Sequence, residues 1–149
     1  MRNDIVFLFL ALFTGALIPI QAATNATFGK SIGSPSITGL MVFIVGLAGM
    51  ILFILLTRAP FPNRQQLVSA PLYSYLGGLI IATYVVLITI LVPKIGVGTA
   101  IGFIVTGQII CAVVIDHFGL FNVAVRSISV TRMAGVILMI GGVYLVMKK

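Results

Sequence analysis

Uncharged polar side chains inside long apolar runs are the residues of this chain best suited to binding chemistry. Gln21 and Asn25 lie four residues apart near the end of the first run, on the same helical face as Thr14 and Ile18. Pro19 is expected to kink or loosen that helix. Because a polar group in hydrocarbon is costly without a partner, such residues usually face a cavity or another helix. The two amides either line a pathway or bond to a neighbouring helix near the span end.

Two later runs carry more groups of the same kind. The third run contains Tyr84, and the fourth contains Thr106 and Gln108, the deepest amide of that run. All of these side chains exchange hydrogen bonds without carrying charge. The residues predicted to line a pathway are Gln21, Asn25, Tyr84, Thr106 and Gln108.

Charged chemistry has one candidate. Asp116 is the only carboxylate near a span apart from Asp4. It either forms a proton or ion-pair site, or caps the following loop and pairs with Arg126 or Arg132. No metal is expected, because one Cys, one His and two Asp cannot close a site at ordinary spacing. No nucleophile stands with a base, so neither an enzyme nor a cofactor is predicted.

The elements that must position these residues are five apolar runs. Hydrophobic residues make up 60% of the 149 residues and charged residues 7%, and the mean hydropathy is +1.27. A soluble domain has roughly a quarter of its residues charged, so lipid must cover this chain. Each run is close to the ~20 residues that cross a bilayer as a helix, and none alternates like a barrel strand. The predicted fold is an all-α integral membrane protein, a bundle of five transmembrane helices in a single domain over residues 1–149. The predicted spans are about 5–25, 36–57, 71–92, 95–116 and 129–147.

The first run also has features of a cleavable signal peptide, with Arg2 before it and Ala22 and Ala23 near its end. Asp4, the length of the run and the amides that continue past it favour a retained span. We expect no cleavage.

The net charge of +7 predicts topology and not nucleic-acid binding, because the cations stand singly at span ends. An odd number of spans puts the termini on opposite sides. One side receives Arg2, Arg58, Arg64, Arg126 and Arg132, and the other receives Lys30, Lys94, Lys148 and Lys149. The arginine side is the better cytoplasmic candidate, with the N-terminus inside. Because the split is nearly even, the chain either inserts one way or inserts both ways and pairs as an antiparallel dimer.

Small residues in the fourth run predict a helix contact. Gly98, Gly102 and Thr106 follow at four-residue steps, a stripe that lets two helix backbones approach closely.

Several segments together carry a family resemblance. They are Leu76-Gly77-Gly78, Gly107-Gln108 and Asp116-His117-Phe118-Gly119-Leu120. The chain resembles the YdcZ-like inner-membrane exporter family of the drug/metabolite transporter superfamily over its whole length. Tyrosines stand where the family usually has tryptophan before Leu-Gly-Gly, and Ile81 stands where it usually has glycine.

The resemblance implies one five-helix half of a ten-span transporter, completed by a second copy or a paired homologue, in antiparallel orientation. Inverted repeats around a midplane site are a general transporter design. We expect a small-molecule exporter in the bacterial inner membrane, with an unidentified substrate. Small multidrug exporters of the superfamily use an intramembrane carboxylate, which no span centre has here; proton coupling therefore rests on Asp116 or is absent. The alternative is a non-transporting subunit or scaffold, or one half of a heteromeric transporter.

Overall fold

The part of the chain that the structure describes forms six α-helices and two short 3₁₀ turns. The computed structural model describes residues 2–148, with side chains from Ile5 to Lys148, so Lys149 and the side chains of Arg2 and Asp4 lie outside the description. The described residues contain no strand. The helices are α1 Arg2–Ile32, α2 Pro35–Thr57, α3 Arg64–Ser69, α4 Leu76–Ile95, α5 Val97–Phe118 and α6 Val130–Met147; the 3₁₀ turns are Leu72–Tyr75 and Leu120–Asn122.

Five of these helices are long and apolar enough to cross a membrane: α1, α2, α4 with its preceding 3₁₀ turn, α5 and α6. The prediction of an all-α membrane protein with five transmembrane helices is confirmed. The large apolar side chains of these helices are mostly exposed, as lipid contact requires.

Helix α1 is longer than the first predicted span. It runs unbroken through Pro19 and past Asn25 to Ile32, a rise of roughly 46 Å at 1.5 Å per residue. Gly33, with φ +76°, ends it, because this left-handed backbone suits glycine. Ser34 then caps α2 by accepting a hydrogen bond from the Ile37 amide at 3.4 Å, with Pro35 in the first helical position.

The long connection after α2 is ordered by local hydrogen bonds. Asn63 and Gln66 form a capping box at the start of α3, with both bonds 2.8 Å long. The Tyr75 hydroxyl donates to the Leu67 carbonyl at 2.8 Å, which ties the 3₁₀ turn to α3. These hydrogen bonds fix the path by which the chain enters α4.

The chain divides into two compact units, Met1–Lys94 and Ile95–Lys149. In the first unit, α1, α2 and α4 pack together where small residues allow it. A Cβ on Gly29 of α1 would lie 2.7 Å from Cγ2 of Thr89, and one on Gly39 of α2 would lie 3.3 Å from Cγ2 of Val86. Ile88 and Val85 are buried at 1% exposure in this unit.

In the second unit α5 packs against α6. A Cβ on Gly102 would lie 2.8 Å from Cγ1 of Val143. Gly119, at φ +61°, ends α5 and leads into the loop before α6. Ser129 begins α6 by accepting a hydrogen bond from the Arg132 amide at 3.2 Å. How the two units associate into one membrane domain stays a prediction.

Candidate functional site

Two polar groups of the first unit are buried without a partner. Asn25 of α1 is 5% exposed, and its Nδ2 has no hydrogen-bond acceptor anywhere in residues 2–148. The hydroxyl oxygen of Tyr84 in α4 is likewise buried and unpaired among the described residues. Buried polar atoms in proteins are nearly always satisfied, and leaving one unpaired costs ~1–3 kcal/mol. Both residues belong to the predicted pathway lining.

Gln21 lies one helical turn before Asn25 and is half-buried. Its side-chain amide makes no hydrogen bond within the described part of the chain, so α1 presents two amides with free bonding capacity on one face. The neighbouring hydroxyls differ, because they bond to their own helix. Thr24 Oγ1 donates to the Gln21 carbonyl at 2.9 Å.

The other two predicted pathway residues lie in the second unit. Thr106 Oγ1 donates to the Gly102 carbonyl at 2.8 Å, so its hydroxyl is satisfied within α5. Gln108 is exposed, and its amide has no hydrogen bond within residues 2–148. It stands near the middle of α5, where an amide facing lipid is unfavourable. Of the five predicted residues, Gln21, Asn25 and Tyr84 belong to the first unit, and Thr106 and Gln108 to the second.

Asp116 forms an ion pair in the second unit. Its Oδ2 accepts a hydrogen bond from Nη2 of Arg132 at 2.8 Å, and the two side chains are 33% and 30% exposed. Nη1 of Arg132 donates to the Arg126 carbonyl at 3.0 Å, and the Arg126 amide donates to the Asp116 carbonyl at 2.8 Å. The carboxylate therefore fastens the loop between α5 and α6 and sits at a helix end, away from the span centre.

Of the two glycines in the predicted stripe, one lies in direct contact with α6. Gly102 lies against Val143 of α6, whereas a Cβ on Gly98 would meet no atom within 4 Å. Both glycines line an apolar cleft of about 330 Å³ with residues of α6, including Met139 and Gly142. Cys111 is exposed on α5 and unpaired, and the described residues contain no group of His, Cys, Asp or Glu that could hold a metal.

Two threonines that the sequence did not single out are buried in the first unit. Thr38 and Thr89 are 0% and 2% exposed, and their hydroxyls donate to the Ser34 and Val85 carbonyls at 2.9 and 2.7 Å. Both hydroxyls are satisfied inside their own helices, so these residues act as packing surfaces for the first unit. A threonine in an apolar run gives no local signal of whether its hydroxyl faces a ligand or its own backbone.

Five apolar helices, with uncharged polar groups deep inside them, define a multi-pass α-helical membrane protein. A model of the family described as "Putative inner membrane exporter, YdcZ" matches residues 6–145. The chain therefore belongs to this family, and the sequence-based identification is confirmed. The family is one of inner-membrane exporters and not a class of enzymes. No curated protein and no solved structure matches the chain.

Proposed function

We propose that this protein exports a small, uncharged polar molecule across the inner membrane, as a dimer of two copies in opposite orientations. The observation that carries the proposal is the pair of unpartnered polar atoms in the first unit, Nδ2 of Asn25 and the hydroxyl of Tyr84. A solute with hydroxyl or carbonyl oxygens supplies the acceptor that the Asn25 amide lacks. It also supplies donors or acceptors for Tyr84.

The absence of charge in the lining favours an uncharged solute. The sequence has no Asp or Glu between residues 5 and 115, and the carboxylate of Asp116 is engaged with Arg132 at a helix end. A cation in the membrane would require a nearby counter-charge. Hydrogen-bonding groups alone fit a neutral polar molecule better, and they give no reason to invoke proton exchange.

The need for a second copy is supported by a polar residue that a single copy leaves exposed. Gln108 lies in mid-span and is exposed, where lipid offers its amide no hydrogen-bond partner. A second copy placed against α5 would give that amide a partner or a share in the pathway. Five spans and a nearly even division of cations favour antiparallel pairing. We place the arginine side, with the N-terminus, in the cytoplasm.

The test is solute efflux from vesicles that contain the purified protein. Vesicles are loaded with labelled glycerol, a monosaccharide or a small amide, and release is compared with protein-free vesicles. We expect faster release of at least one solute from vesicles with the natural protein. Asn25→Ala and Tyr84→Phe should each slow it about tenfold, equivalent to ~1.4 kcal/mol of lost interaction.

Matched controls remove the same groups elsewhere. Gln65→Ala deletes an exposed amide in α3, and Tyr144→Phe deletes an exposed hydroxyl in α6; both should leave efflux unchanged. Equal efflux from the natural protein and from both pathway variants would show that Asn25 and Tyr84 are not in the pathway. Release of charged solutes alone would exclude the neutral substrate class, and no release of any solute would favour a non-transporting subunit.

A further inference from the structure

The two lysines of the first unit, both exposed, line one cavity. Lys30 lies in the last turn of α1 and Lys94 in the last turn of α4. Both line a cavity of about 240 Å³ that also includes Gly33 and Pro35, where α1 ends and α2 begins. A single water molecule needs a space of ~15 Å³, so this cavity is many times larger than one water requires. Residues 64 positions apart in the sequence thus present two cations to one space.

No carboxylate is available to neutralise these lysines. The sequence has no Asp or Glu from residue 5 to residue 115. Asp116 belongs to the second unit and pairs with Arg132. Asp4 precedes Lys30 by 26 residues on the same helix, a separation of roughly 39 Å at 1.5 Å per residue. No carboxylate of this chain therefore neutralises the positive charge at the cavity, so a counter-charge has to come from another molecule.

The helix ends do not cancel the charge. Each lysine lies near the negative end of its own helix, which offers only about half an elementary charge. The start of α2, at Gly33 and Pro35, adds about half a positive charge and has no acidic residue in its first turn. The cavity therefore keeps a surplus of roughly one and a half positive charges. That surplus is comparable to the charge of a phosphate mono- or diester.

We propose that this cavity is a phosphate-binding site, in which Lys30 and Lys94 hold the phosphate oxygens beside the start of α2. The apolar part of the wall, formed by Ala26, Ile90 and Pro93, suits a ligand with an apolar portion. Basic residues close to the membrane surface attract the headgroups of anionic lipids. The phosphate belongs either to such a lipid or to a soluble phosphate compound. The site is separate from Asn25 and Tyr84 and does not depend on the transport proposed above.

The experiment measures thermal unfolding by circular dichroism of the full-length protein in detergent. Four additions are compared: phosphatidylglycerol, phosphatidylcholine, inorganic phosphate, and chloride at the same ionic strength. A ligand that binds the folded state raises the unfolding temperature. We expect phosphatidylglycerol or inorganic phosphate to raise it by several degrees, and phosphatidylcholine and chloride to leave it unchanged. The anion that acts identifies the source of the phosphate.

The double variant Lys30→Gln, Lys94→Gln should lose the rise, and Lys30→Arg, Lys94→Arg should keep it. Lys148→Gln, Lys149→Gln removes the same charge from the C-terminal end of the chain and should also keep it. Should the double glutamine variant not fold, each single glutamine variant should weaken apparent affinity about fivefold, the contribution of one basic residue at a membrane surface. The proposal is overturned if neither phosphate source shifts the natural protein, or if the glutamine variants respond as fully as the natural protein does.

Discussion

Asp116 at the end of α5 is joined to Arg132 in the first turn of α6 by an ion pair with a 2.8 Å contact between Oδ2 and Nη2. The same guanidinium reaches the Arg126 carbonyl, and the Arg126 amide returns to the Asp116 carbonyl. Hydrogen bonds among these three residues therefore join the end of α5 to the loop and to the start of α6. This geometry is that of a structural link at the end of α5, and we expect that Asp116 does not carry protons across the membrane.

Removing one partner of this ion pair should lower stability. Asp116→Asn and Arg132→Gln are each expected to reduce the free energy of unfolding by about 1 kcal/mol, because each leaves the other charge unpaired at a partly exposed site. A double-mutant cycle, measured by chemical denaturation in detergent, should give a coupling of ~0.2–1 kcal/mol. Strictly additive effects of the two changes would contradict an energetic role for the pair.

Tyr84→Phe should stabilise the ligand-free protein. The change deletes a buried hydroxyl that has no partner in residues 2–148, so it removes a desolvation cost of up to ~1–3 kcal/mol. Tyr75→Phe is the matched control, because that hydroxyl donates to the Leu67 carbonyl at 2.8 Å and its loss should cost ~1 kcal/mol. Thermal unfolding of both variants checks the opposite signs. A destabilised Tyr84→Phe variant would mean that the hydroxyl is bonded in the purified protein.

Gly102→Ala should loosen the contact between α5 and α6. The new Cβ would lie 2.8 Å from Cγ1 of Val143, and forcing extra volume into a packed contact costs ~1–3 kcal/mol. Gly107 lies in the same helix with no atom within 4 Å of such a Cβ. Gly107→Ala should therefore be neutral or stabilise by up to ~1 kcal/mol through helix propensity. Equal unfolding temperatures for the two variants would show that the contact with Val143 yields without cost.

Dual insertion predicts that the C-terminus is found on both sides of the membrane. Reporters active only in the cytoplasm and only outside it, fused in turn after Lys149, should both give signal, because the cations divide almost evenly between the two sides. The substitution Asn63→Arg adds one positive charge to this loop. It should shift the population toward the orientation that keeps the loop in the cytoplasm. Signal from one reporter alone would exclude dual topology.

The sequence by itself determined that lipid surrounds the protein and that five helices cross the membrane. A backbone in hydrocarbon must satisfy its own hydrogen bonds, and continuous apolar runs of this length, which do not alternate like barrel strands, do so as helices. The sequence also indicated which amides lie within the spans. It left Arg126 and Arg132 as the two possible partners of Asp116. The choice between them came from the loop fold, which uses the backbone of Arg126 and the side chain of Arg132.

Only the tertiary structure decided which polar groups are left without partners and which cations line the same cavity. Thr89 and Tyr84 lie five residues apart in one helix, yet the first hydroxyl bonds to the Val85 carbonyl and the second has no partner in the described chain. Lys30 and Lys94 come to one cavity because Gly29 lets α1 approach the Thr89 methyl of α4. Hydropathy and helix formation are local properties of the chain. Satisfaction of a buried group and convergence of distant charges depend on how the helices pack, which no single segment contains.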